Sequence, residues 1–115
     1  MPQLVYTPQA LEDLQLMRTN IISQFGAEAA KKSVKHFTKT LRSLERFPRM
    51  GFRLEKKVLF PTDYFCLFIQ PNYVFYRIDT DAIYIIRILN QRQDFTRILF
   101  SADKESLSEN IQGDI

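Results

Sequence analysis

Residues 72–95, NYVFYRIDTDAIYIIRILNQRQDF, limit the fold more than any other stretch of the chain. Val74, Tyr76 and Ile78 alternate with Tyr73, Phe75 and Arg77, which is the period of a strand. Thr80 and Asp81 supply turn chemistry. Ile83, Tyr84, Ile85, Ile86, Ile88 and Leu89 then form a nearly unbroken apolar run, rich in β-branched residues. Such a run suits a central strand covered on both faces. With a two-residue turn, Asp79 pairs with Ala82, Arg77 lies opposite Tyr84 and Arg87 lies opposite Val74. Alternation then puts Arg77 and Arg87 on opposite faces. A buried arginine needs a partner. Each is read either as a snorkelling or ion-paired structural charge, or as an anion contact at the sheet end.

The preceding chain is helical. Leu4-Val5-Tyr6 reads as a short first strand. Thr7 offers a capping hydroxyl, and Pro8 suits a first helical turn, where its missing N–H costs nothing. Ala10, Leu14, Met17 and Ile21 recur at helical spacing, and Gly26 can end that helix. Glu12 and Asp13 fall near the first turn, where the helix dipole favours negative charge. A second helix is expected from about Ala27 to Arg46, with its apolar stripe at Ala30, Val34, Phe37, Leu41 and Leu44 and its stop at Pro48. Phe52 to Val58 reads as a loose strand and Tyr64 to Ile69 as a firm one. Phe95 to Phe100 reads as a short helix or closing segment. Helices followed by strands imply an α+β fold: a helical hairpin packed on a small, mainly antiparallel twisted sheet. The expected organisation is a single domain over 1–100 and a polar acidic tail over 101–115.

Charge is unevenly placed. Ten basic residues lie between Lys31 and Lys57 against Glu45 and Glu55 only, a local balance of +8; the stretch from Ser101 onward carries −3. That pattern fits a solvated helix face, an acidic partner or self-masking by the tail. No apolar run is long enough to span a membrane, and the opening residues lack the plan of a signal peptide. The lone Cys66 excludes an intrachain disulfide and fits a buried small hydrophobe in a cytoplasmic protein.

The chain has no phosphate-binding glycine loop, nucleophile elbow or metal-ligand spacing, so neither a metal nor a cofactor is expected. The only histidine, His36, stands mid-helix beside Phe37 without ligand-type neighbours in sequence. A metal-free ribonuclease needs cations for phosphate charge together with an acid and a base. Arg53, Lys56, Lys57, Arg77, Arg87, Arg92 and Tyr84 have the right chemistry for it.

Several motifs together carry a family resemblance. Tyr6-Thr7-Pro8-Gln9-Ala10, followed by Glu12-Asp13-Leu14, resembles an opening Y-x-P-x-A-x-x-D-L. Pro48 to Gly51 resembles a P-x-x-G after the second helix, and Tyr73 to Asp79 a penultimate strand. Ile86 to Leu89, then Arg92, Asp94 and Phe95, resembles a closing strand and R-x-D loop. In this order the motifs are similar to the RelE/ParE superfamily of type II toxins. The resemblance implies a cytoplasmic, growth-arresting toxin, of the kind that stabilises plasmids, neutralised by a cognate antitoxin in a hetero-oligomer. It implies one of two targets: the ribosome and its mRNA, cleaved by RelE-like members, or DNA gyrase, inhibited by ParE-like members. In the nuclease version Arg87, Arg77 and Arg92 would hold phosphate charge, with Tyr84 or His36 as proton donor. In the gyrase version Arg92, Asp94, Phe95, Lys56 and Lys57 would contact the target. Strand Tyr64 to Ile69 has no cation, and Asn90 stands where nucleases often have histidine. Both departures favour the gyrase version, without catalysis. Outside toxins, the alternative is a small basic module binding protein or RNA.

Overall fold

The computed structural model of the protein describes residues 2–59 and 61–100. The acidic tail expected over 101–115 lies outside the described residues. Strand β1 (Gln3–Tyr6) leads into helices α1 (Pro8–Phe25) and α2 (Ala27–Arg42). Strands β2 (Phe52–Arg53), β3 (Phe65–Ile69), β4 (Asn72–Ile78) and β5 (Ala82–Asn90) follow, and residues 95–100 are helical. The sheet order is β1-β5-β4-β3-β2. Among the described residues only the β1/β5 pairing is parallel. The expected α+β architecture is therefore present, with β5 as an interior strand.

Alternation along the strands makes two cores, one on each side of the sheet. Val74, Tyr76, Ile83, Ile85 and Ile88 pack against Ala10 of α1 and Phe37 and Leu41 of α2. Phe75, Leu89 and Cys66 face the other way and pack with Leu54, Phe95 and Ile98. This explains why β5 is apolar at nearly every position: each face has a layer to meet. Among the described residues no helix is long and apolar enough to cross a membrane.

Thr7 ties three elements together. Its amide donates to the Ile85 carbonyl at 3.1 Å, extending the β1/β5 pairing by one bond. Its hydroxyl accepts the Ala10 amide at 3.1 Å, capping α1, and donates to the Ile86 carbonyl at 3.0 Å. The other end of α1 is closed by Gly26 at φ 93°, a left-handed conformation that glycine adopts without penalty.

Four sequence expectations change. The β4/β5 register shifts between Phe75 and Tyr76, so Arg87 lies opposite Phe75 rather than Val74, whereas Arg77 does lie opposite Tyr84. The extra residue is Ile86, whose carbonyl takes the Thr7 hydroxyl where β1 ends. Second, α2 stops at Arg42 and tightens into a 3-10 turn, Ser43–Glu45. The turn keeps Leu44 fully buried and brings the Glu45 carboxylate to the Leu4 amide at 2.9 Å. Third, the stretch after Phe52 pairs for only two residues before the chain turns at Leu54–Lys56. Burial of Leu54 under the second core drives that turn, and its amide donates to the Tyr64 carbonyl at 2.9 Å. Fourth, the first turn of α1 holds no acid. Asp13 is one turn further on and serves a partner in the sheet.

Candidate functional site

Where β1 stops, the outer side of β5 would expose unpaired backbone. Asp13, projecting from α1, covers it. Its carboxylate accepts from Arg87 Nε at 2.7 Å and Arg87 Nη2 at 2.9 Å, and Oδ2 also accepts the Ile88 amide at 2.9 Å. Side-chain exposure is 10% for Asp13 and 23% for Arg87, so the pair is largely withdrawn from water. The hydrogen bonds to Asp13 raise the Arg87 pKa, so the guanidinium stays charged. Arg87 is thus ion-paired to Asp13, and it also lines the adjoining cleft.

Beside this pair a cleft of about 510 Å3 opens between the helical hairpin and the end of the sheet. Leu16, Ile21 and Phe25 form apolar wall, while His36, Asn90 and Gln93 supply polar groups. Leu16 is 59% exposed and Phe25 72% exposed, a large apolar surface for one helix to leave in water. The floor is ordered: the Gln93 side chain accepts the Asn90 amide at 2.9 Å, and buried Asn72 donates to the Met17 sulfur at 3.4 Å.

The other expected site residues are scattered. The Arg77 guanidinium sits 5.4 Å over the Tyr84 ring at the hairpin end of the sheet. Six residues of strand separate Tyr84 from Asn90, roughly 20 Å, and Arg92 lies beyond that in an exposed turn. Arg87 lies between them and is engaged by Asp13. The structure brings Arg77 to Tyr84 and puts Arg87 and His36 in the lining of one cleft, but does not gather all the candidate cations around one point.

The residues expected to touch a target divide in the same way. Phe95 is half-buried, its ring 5.8 Å from Tyr73 and 5.2 Å from Phe75. Asp94 caps the helical segment 95–100: its carboxylate accepts the Arg97 amide at 3.3 Å and its carbonyl the Ile98 amide at 3.1 Å. Both therefore have structural work. Lys56 and Arg92 are exposed, and the Lys57 ammonium lies 5.9 Å over the Phe52 ring. The Cys66 thiol is buried and pushed up to about 12 by that burial, which leaves it inert as a nucleophile. Sequence reasoning missed Asp13 as a partner; the signal was a lone arginine inside an apolar run, which required a carboxylate from elsewhere.

Residues 4–95 match the family model for the ParE toxin of the type II toxin-antitoxin system parDE. Among curated proteins none matches. A solved structure from P. aeruginosa, the chromosomal ParDE TA system, is similar at TM-score 0.67 and 22% identity, over 78% of this chain and 96% of that one. At that identity the likeness speaks for the fold, while the family match spans most of the chain. The chain belongs to the ParE toxin family of type II toxin–antitoxin systems.

Proposed function

We propose that this ParE-type toxin arrests growth by binding DNA gyrase, without cleaving RNA, and that a cognate antitoxin neutralises it. The observation that carries the reading is the engagement of Arg87. A nuclease centre needs that guanidinium free to meet developing phosphate charge. Here it is held by two hydrogen bonds to Asp13, while Arg77, Tyr84 and Arg92 are spread along β5 and beyond. Inhibition by binding requires only an exposed surface, for which Arg92 and Lys56 are available.

The cleft between hairpin and sheet is the proposed antitoxin seat. Its exposed Leu16 and Phe25 suit an amphipathic segment that orders on docking. The free edges of the sheet offer a second surface. Glu45 occupies the Leu4 amide on the outer edge of β1, whereas β3 has no β2 partner beyond Cys66. Strand addition is therefore open at Leu67–Ile69 and hindered at β1.

Two assays on the free chain test the target. Inhibition of gyrase supercoiling, with mRNA intact in a purified translation system, is expected. Cuts at ribosomal A-site codons with supercoiling undisturbed would overturn the reading and restore Arg87, Arg77, Arg92 and Tyr84 to catalytic roles.

A further inference from the structure

The basic stretch seen in the sequence becomes two separate surfaces in the fold. One is the turn carrying Arg53, Lys56 and Lys57, where Arg53 pairs with Glu55 at 3.2 Å and Lys57 lies over Phe52. The other is the outer face of α2. At 100° per residue, Lys31, Lys32, Lys35, Lys39 and Arg42 fall within an arc of roughly 100°. All five are exposed, and among the described residues none forms an ion pair. Glu28, in the first turn, is the only acid of α2 and shares that face. Arg46, exposed just past the 3-10 turn, continues the positive charge.

We propose that this face of α2 binds the phosphate backbone of duplex DNA without reading its sequence. From Lys31 to Arg42 the row covers about 16 Å of helix axis, close to five base pairs at about 3.4 Å each. Like charges this dense repel one another and cost stability unless a polyanion meets them. Single-stranded nucleic acid is held by aromatic platforms as well as charge. The only aromatic of α2 other than His36 is Phe37, which is buried in the core. The choice of DNA over RNA rests on the proposed gyrase target, an enzyme that works on duplex DNA; the cationic row itself does not depend on it.

The test is fluorescence anisotropy of the free chain with a short labelled DNA duplex, repeated with a double-stranded RNA of equal length. Affinity for DNA should fall about 100-fold or more between about 50 and 200 mM salt, and the log–log slope should be near about −4.5. The variant K35Q/K39Q/R42Q should flatten that slope by about 2.7. Glutamine keeps helix propensity, and the three side chains are exposed, so the thermal transition should hold as a folding control. Absence of salt-dependent binding, or equal binding by the variant, would overturn the proposal. Tighter binding to RNA would overturn the DNA assignment. Supercoiling inhibition, scored separately, keeps the two readings apart: DNA binding through α2 with no effect on gyrase would leave the face assigned and remove the gyrase target.

Discussion

The Asp13 carboxylate bridges Arg87 and the Ile88 amide, fastening α1 to the one part of β5 that β1 does not reach. Removing the carboxylate would strand a guanidinium and a backbone N–H in a mostly buried place. Asp13→Ala should therefore cost about 2–4 kcal/mol. Asp13→Asn, which retains an acceptor for Ile88, should cost about half of that. Arg87→Ala should also lower stability, because it leaves Asp13 charged and unpaired. Urea unfolding of the three variants checks this. An Arg87→Ala protein as stable as the parent would show that the pair has no structural weight and would reopen the nuclease assignment.

Tyr76, in the interior strand β4, holds the turn that follows α2. Its fully buried hydroxyl donates to the Pro48 carbonyl at 2.8 Å and accepts the Gly51 amide at 3.0 Å, so one oxygen pins the turn after α2. Tyr76→Phe loses both bonds and should cost about 1–3 kcal/mol. Gly51→Ala should be at least as damaging, since a Cβ there would collide with the Cys66 carbonyl and lie 2.8 Å from the Tyr76 hydroxyl. Thermal melts of both variants decide the matter; a Gly51→Ala protein with an unchanged midpoint would contradict this packing.

Alkaline pH should expose the burial of Cys66. The folded thiol is raised from 9.0 to about 12 by desolvation. Below about 9 the thiol is protonated in both folded and unfolded chains, so it adds no pH dependence. Between about 9 and 12 the unfolded chain releases a proton that the folded chain keeps, and stability falls as pH rises. Burial also raises the Tyr76 hydroxyl above 10.0, which acts in the same direction at the upper end of that window. Unfolding free energies across the window should decline for the parent and more gently for Cys66→Ala. Equal slopes for the two proteins would mean that the thiol is not shielded.

Some of this organisation was legible in the residues. Thr7-Pro8 and Gly26 marked the ends of α1 because capping chemistry is local. The strand at Ala82–Asn90 showed in its unbroken apolar run because both of its faces are covered. The parallel β1/β5 pairing joins residues far apart in sequence, and nothing local encodes it. The bulge at Ile86 was hidden for the same reason: the carbonyl it presents is met by Thr7, 79 positions away. Because that bulge shifts the register, the expected partner of Arg87 was off by one residue. The site residues were harder still. Asp94 and Phe95 belong to a motif yet serve as a helix cap and a core ring, and sequence alone does not separate a residue kept for packing from one kept for contact.

Antitoxin docking in the cleft gives the prediction that bears most directly on biology. Leu16 and Phe25 are exposed, line the cleft and make no contribution to either buried core. Their exposure means that polar substitutions should cost the free toxin little, whereas in a complex each would place a polar or charged group against the apolar face of the bound segment. Burying one such side chain is worth about 1.5–3 kcal/mol, so Leu16→Glu or Phe25→Asp should weaken antitoxin binding about tenfold or more. Isothermal titration of each variant with the co-encoded antitoxin measures this, with Arg18→Gln, an exposed change on the same helix outside the cleft lining, as the matched control. The control should bind within a few-fold of the parent. Parent-like affinity in both cleft variants would place the antitoxin elsewhere, and the open edge of β3 at Leu67–Ile69 would be the next surface to substitute.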